Sequence, residues 1–408
     1  MNYDKLLQEI IHIGSLLIQS GAENLRVEDS LYRMCKSYGF IQSDIHVIPS
    51  NIQATVITKD ERVITQICHV RKSGFDFTHL ARLNDLCRYV CVNTPDEVTL
   101  KEKRLEIQTM KKPRIWLTTL AAILCGGGFA AFYGATAPDL IIAFLASALV
   151  ALGGLWLAKR EENVFIYHFI LMFIAEVLVL LLTRLYHGSR PESITDGLIM
   201  IFIGSLTITN GIRDVMAKEI LSGINNVLGS ILGASGVASG IALALLLFHQ
   251  ESKGLLLAPQ LSVQLFSAMV ACVGFSLWYR VPGRCIIYNM FGGLMTWFIY
   301  YCLYYRMNVT SFFATLVAAM FVAAFAYVMA RLNKVPATVF LSTTAIPLIP
   351  GPQLHYMMYA VVTSDSVLLK SSTHTLLVSC FGIALGFMFF DAFARYTTLL
   401  GKVIPNNK

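Results

Sequence analysis

The chain has 408 residues, 56% of them hydrophobic and only 14% charged, with a net charge of +7. That apolar share exceeds what a single soluble core can hide, so a soluble globular protein is excluded and a membrane protein is expected. The positive balance does not point to nucleic acid, because the basic residues cluster beside apolar runs, where membrane topology accounts for them.

Charge divides the chain. Residues 1–114 hold 16 of the 32 Lys and Arg and 14 of the 25 Asp and Glu, which predicts a head over residues 1–112 and a membrane body beyond it. The opening Met1-Asn-Tyr-Asp-Lys5 starts an amphipathic pattern with no apolar leader, so the head is expected on the cytoplasmic side. Apolar residues at helical spacing predict a helix over 4–20, stopped by Ser20-Gly21, and a second over 24–38. Strand-like runs follow at 44–49, 52–59 and 62–70, the last two joined by a tight turn at Asp60-Glu61. Helices over 77–91 and 95–110 complete an ααβββαα order, an α+β domain with helices packed on an antiparallel sheet.

The densest polar cluster of the head is Gly21-Ala-Glu-Asn-Leu-Arg-Val-Glu-Asp-Ser30. Its Glu23, Arg26, Glu28 and Asp29 read in two ways: a ligand or interdomain contact, or acids favouring a helix N-terminus together with a salt bridge. The head carries no nucleophile elbow, P-loop, glycine-rich dinucleotide turn or metal-ligand spacing, so neither enzymatic activity nor a cofactor is expected. Nine cysteines form no paired framework and read as reduced or buried thiols.

A basic collar, Lys101, Lys103, Arg104, Lys111, Lys112 and Arg114, precedes the first apolar run. At about 20 residues per span, membrane helices fall near 115–135, 139–158, 163–185, 196–212, 224–248, 261–281, 286–305, 311–332, 336–362 and 372–396, ten in all. With the head inside, the cytoplasmic loops and tail carry Lys159, Arg160, Arg213, Lys218, Arg280, Arg284, Arg331, Lys334, Arg395, Lys402 and Lys408. The opposite face carries only Arg184, Arg190, Lys253, Arg306 and Lys370, a bias that supports an even count with both termini cytoplasmic.

Two stretches, Ile203–Glu219 and Ile349–Asp365, interrupt the fourth and ninth spans. Each passes from an apolar run through Gly204-Ser205 or Pro350-Gly351 into a more polar segment and ends on an acid, at a spacing of 365 − 219 = 146. Polar, helix-breaking residues at membrane depth are tolerated only where they line an enclosed or watered cavity. As fourth members of two five-helix sets, residues 113–250 and 251–408, they predict a 5+5 inverted repeat with a transport site at the breaks.

Candidate chemistry follows from these positions. Thr207, Thr209 and Asn210 offer hydrogen bonds, Arg213 can fork onto a carboxylate, and Asp214 and Glu219 can take an ammonium group or a proton. Arg213 and Asp214 read equally well as an ordinary cytoplasmic helix end. In the ninth span Pro347, Pro350 and Pro352 forbid a continuous helix; backbone freed at Pro350 and Gly351, with Gln353, His355, Tyr356, Tyr359 and Asp365, completes the substrate-binding set. Glu176, midway along the third span, shares a helical face with His168 and reads as a proton relay or as a carboxyl satisfied by a neighbouring helix. Gly229, Gly233, Gly236 and Gly240 make a small-residue stripe on the fifth span, a candidate surface for one repeat to rock on the other.

The chain resembles the threonine/serine exporter family in its fused, single-chain form, over nearly its whole length. Gly21-Ala-Glu-Asn-Leu-Arg-Val-Glu-Asp29 is similar to that family's head motif, Leu206-Thr-Ile-Thr-Asn-Gly-Ile-Arg-Asp214 with Ser222-Gly223 to the close of its fourth span, and Val335-Pro-Ala-Thr-Val-Phe340 with Ile346-Pro-Leu-Ile-Pro-Gly351 to its smaller C-terminal module. One departure stands out: Gly204-Ser205 replaces the usual Pro-Gly. The resemblance implies a multi-pass exporter in a bacterial cytoplasmic membrane, acting on threonine or serine, or on a C4-dicarboxylate such as succinate as in two-subunit relatives. Its partners would be a small-molecule substrate, protons and the lipid bilayer, with no nucleic acid; a homo-oligomer is compatible with the sequence. The rival from another class is a membrane-anchored cytosolic sensor or enzyme.

Overall fold

The computed structural model describes residues 2–70, 74–110, 113–185, 189–202, 205–216, 218–250 and 257–403. Expected features at Lys111, Lys112, Ile203, Gly204, Lys253 and Lys408 lie outside the described residues. The chain forms two compact units: Met1–Pro113 with Tyr279–Gly283 and Ala330–Val339, and the remainder.

In the first unit α1 (Tyr3–Gln19) is started by Asn2, whose side chain accepts the Asp4 and Lys5 amides, and buries Leu6, Leu7, Ile10 and Ile11. After a turn at Gly21, at φ +91°, α2 (Asn24–Ser37) leads to the strands β1 (Gln42–Ile48), β2 (Asn51–Ile57) and β3 (Val63–His69). They pair antiparallel in the order β1-β2-β3, with Ile48 opposite Asn51 and Ile57 opposite Val63. Ile52, Ala54 and Val56 alternate inward from β2, the period-2 pattern of a sheet with one covered face. α3 (Phe77–Asn93) and α4 (Glu97–Gln108) follow; Asp96 caps α4, and the Thr99 bonds that make the cap hold its carboxyl below the usual range. Inside, Arg104 Nε donates to Glu9 Oε2 at 2.6 Å, a buried pair in which removing either partner strands the other charge.

Two segments from later in the chain complete this unit. The Phe77 amide donates to the Tyr279 carbonyl at 2.9 Å, the Thr78 hydroxyl to that of Arg280, and the Arg280 guanidinium meets the Asp76 carboxylate. Arg88 Nη2 donates to the Lys334 carbonyl at 2.8 Å.

The second unit begins with α5 (Ile115–Phe132), α6 (Ala137–Leu157) and α7 (Val164–Thr183), followed by the shorter α8 (Pro191–Phe202) and α9 (Ser205–Met216). Next come α10 (Ile220–Phe248), α11 (Leu261–Trp278), α12 (Gly283–Tyr301, continued by a π-helical turn to Arg306) and α13 (Ser311–Asn333). Then α14 (Thr338–Thr344), a 3₁₀ turn (Ile346–Leu348), α15 (Gly351–Thr363) and α16 (Ser366–Val403) close the chain. Among the described residues eight helices are long and apolar enough to cross a membrane, and α8 with α9 forms a ninth candidate bent by 51°. The ninth of the ten expected spans, near 336–362, is instead two helices of 7 and 13 residues around the 3₁₀ turn, each too short to cross alone. The prolines are the reason: Pro347 and Pro350 remove backbone donors and push the preceding residues out of the helical region.

Close helix contacts recur at one spacing. A methyl group on Gly128 of α5 would lie 2.9 Å from the Ala271 nitrogen of α11, and one on Gly274 of α11 would lie 2.6 Å from the Cys125 nitrogen of α5. Since 274 − 128 = 271 − 125 = 146, the crossing maps onto itself with the partners exchanged, and the two helices run antiparallel. Gly236 and Gly240 of α10 abut the Phe165 and Phe169 carbonyls of α7, and 146 positions on Gly382 and Gly386 of α16 abut the Phe312 and Leu316 carbonyls of α13, which lie 147 positions on from those of α7. Gly126 meets Ser147, and Cys272 meets Gly293, again 146 apart. Gly233, Gly236 and Gly240 of the α10 stripe therefore pack on α7, while a methyl group on Gly229 would meet nothing within 4 Å. The stripe does not face the later helices across which rocking was expected, because glycines four apart expose one backbone strip that fits one neighbour.

Candidate functional site

Polar groups converge where α7, α8 and α15 meet. Asp196, on the second turn of α8, is 1% exposed and accepts hydrogen bonds from the Tyr356 hydroxyl of α15 at 3.0 and 3.3 Å. Its chain neighbour Thr195 donates to Glu176 Oε2 of α7 at 2.8 Å, and Glu176 is likewise buried. A cavity of about 20 Å³ adjoins them, lined also by Glu192, Gln250 and His355, the scale of a single water. His355 is buried with Nδ1 unpartnered, its ring 5.2 Å from that of Tyr356. Two acids, a hydroxyl bridge and an unsatisfied imidazole inside a helix bundle can bind a cation or pass a proton; such groups are costly in a membrane and mark ion and proton pathways.

The other expected residues separate into groups. On α9, Thr209 is buried with its hydroxyl 3.9 Å from Cys380 Sγ of α16, and Thr207 is half-buried. Asn210 Oδ1 is buried without a partner. Asp214 accepts from Ser222 and Asn226 of α10, both at 3.2 Å, beside the buried Arg213. Pro350 and Gly351 open α15, and Gln353 Oε1 on its first turn is buried and unpartnered. Glu219 sits at the start of α10 without capping it, and the exposed Asp365 accepts the Val367 and Leu368 amides at the start of α16.

Glu176 and His168 do share α7, but eight residues place them about 12 Å apart along the axis. His168 Nδ1 lies 3.1 Å from the Gly233 carbonyl, so the ring is tied to α10 rather than to Glu176. Asp196 and Thr195 are functional candidates that the spacing argument missed. The available signal was Pro191-Glu192, a proline and an acid at a helix start, which moves the fourth span upstream and carries Asp196 inside it.

In the head, each member of the motif has a local partner. Glu28 accepts the Val47 amide at 2.8 Å, tying α2 to β1; Asp29 pairs with Arg33 at 2.9 Å and Glu23 with Arg26 at 3.7 Å. Arg26 and Asp29 also line a cavity of about 570 Å³.

A bundle of membrane-length helices with buried ionisable and unsatisfied groups beside interrupted helices has the make-up of a multi-pass membrane transporter. The sequence comparisons agree and are narrower. Residues 8–248 match the family profile described as threonine/serine exporter, ThrE, and residues 264–393 match a second profile, described as Threonine/Serine exporter, ThrE. The chain belongs to the threonine/serine exporter family. No curated protein and no solved structure matches it.

Proposed function

We propose that the protein is a secondary active exporter of threonine or serine, coupled to proton exchange, with cargo held between the broken helices of two inverted five-helix repeats. The observation that carries this reading is the Tyr356–Asp196 hydrogen bond. It joins the broken ninth segment to the broken fourth one, and the neighbouring Thr195 extends the network to Glu176. Two buried acids suit cargo bearing an ammonium group, and Arg213 suits its carboxylate. A dicarboxylate would meet those acids as like charges, which favours the amino acid. Thr207, Thr209, Asn210, Asp214, Glu219, Gln353 and Asp365 complete the proposed set, and the unpartnered atoms of Asn210, Gln353 and His355 are where bound cargo or water restores hydrogen bonds.

The repeat is supported by the contacts that recur at 146 and by the antiparallel, partner-exchanging crossing of α5 and α11. Topology is supported by parity. Tyr279 and Arg280 bond to Phe77 and Thr78, so an even number of crossings must lie between residues 113 and 279. Five long helices and the bent α8–α9 pair supply six. With α12 and α13 and then one crossing by residues 338–363 before α16, the count reaches ten and both termini lie on the cytoplasmic side.

Counterflow in proteoliposomes tests the reading. Labelled threonine or serine is expected to accumulate against unlabelled amino acid; in net export the side that receives the amino acid is expected to become more alkaline as protons move the other way, with loss of that coupling in Glu176→Gln. Succinate flux without amino-acid flux would give the dicarboxylate reading instead, and no flux of any of the three would overturn the transporter mechanism.

A further inference from the structure

The head cavity has an owner-shaped chemistry that the transport reading leaves unused. Its volume of about 570 Å³ falls within the range of small-molecule sites and is far larger than the enclosure beside Asp196. Leu17, Val27 and Leu80 make an apolar floor, and Arg26, Arg33 and Arg88 reach its rim, where they pair with Glu23, Asp29 and Asp85. Arg26 is held loosely, at 3.7 Å from Glu23, and the guanidinium groups of all three are half-exposed or more, so each can turn to an incoming anion at little desolvation cost. Arginine forks match carboxylate and phosphate oxygens. Burial pushes the Cys87 thiol up to about 12 and raises that of Cys91; both act as lining of the cavity, and the less buried Cys91 reacts slowly enough at neutral pH for its labelling to be followed.

One wall comes from Pro336 and Thr338, and Thr338 is the first residue of α14. Arg88 spans the two roles: it faces the cavity and donates to the Lys334 carbonyl, at a residue held in the left-handed region, φ +55°. We infer that this cavity is a regulatory site for a small anionic metabolite, larger than threonine, and that drawing Arg88 toward the anion shifts the 334–338 segment leading into the broken ninth span. The regulatory half of this inference rests on the exporter reading; the binding half does not.

The test uses the full chain in detergent, with AMP as a phosphate probe, citrate as a carboxylate probe and threonine as the small comparator. Calorimetry is expected to show binding of AMP or citrate but not of threonine, weakened by about tenfold in Arg26→Gln and in Arg88→Gln, the scale of one lost charge-assisted bond. Independently, the bound anion is expected to slow maleimide labelling of Cys91, read peptide by peptide, while leaving Cys68 unchanged. In wild-type protein the anion is also expected to alter amide exchange over residues 334–344. Binding by neither probe, binding indifferent to both arginines, or no protection of Cys91 would overturn the site. Binding with unaltered exchange over 334–344 would overturn its link to α14. Absence of threonine flux, by contrast, would remove only the transport reading.

Discussion

The two broken segments share a skeleton and differ in charge. At a spacing of 146, Gly204 stands where Pro350 does, Glu219 where Asp365 does, and the glycine contacts of α10 on α7 repeat in α16 on α13. The buried acids are not repeated. Asp196 corresponds to Ser342 and Glu176 to Val322, both buried, while Tyr356 corresponds to Asn210. The earlier set of helices thus contributes ionisable groups, and the later one a hydroxyl, an imidazole and a proline-opened backbone. Recurring backbone contacts set where helices approach each other, and the side chains at matching positions are free to diverge.

Four experiments break or sharpen that comparison. Asp196→Asn is expected to lower proton-driven net export of threonine by about a hundredfold, the scale of losing an acid the proposed proton exchange needs, whereas Ser342→Ala at the matching position should leave it nearly unchanged; equal losses would mean that the two sets are functionally alike. Gly128→Ile and Gly274→Ile should each destabilise the purified protein by about 1–3 kcal/mol through overpacking of the same crossing, seen as matched drops in the thermal midpoint. A large drop in only one would contradict the shared contact. Tyr356→Phe keeps the ring and removes the donor to Asp196, so flux should fall by about tenfold with little change in thermal midpoint. The smallest effect is expected at the helix starts. Asp365→Ala should cost about 1 kcal/mol as a lost cap, and Glu219→Ala, which caps nothing through its side chain, should cost less; a selective loss of flux in Asp365→Ala would restore it to the binding set.

Much of this was legible from residue pattern alone. The head's order of helices and strands follows from period-3.6 and period-2 apolar spacing, and the break near Pro350 follows from three prolines within six residues. Two things were not legible. The fourth span was expected to begin at 196 because Glu192, Thr195 and Asp196 depress any average of hydropathy, yet α8 starts at Pro191 and buries Thr195 and Asp196, which bond to α7 and α15. Long-range partnership was equally invisible: Tyr356 and Asp196 are 160 positions apart, and no local periodicity pairs them. The same holds for the glycine stripe of α10, whose spacing announces a close neighbour without saying which helix it is.

The crossing of α5 and α11 has a mechanical consequence. Because its contacts are their own image when the helices trade places, a cycle in which the two sets of spans swap postures returns this point to itself. It is the natural fulcrum of such a cycle: strain should vanish there and grow with distance from it, leaving the Tyr356–Asp196 latch to bear the travel.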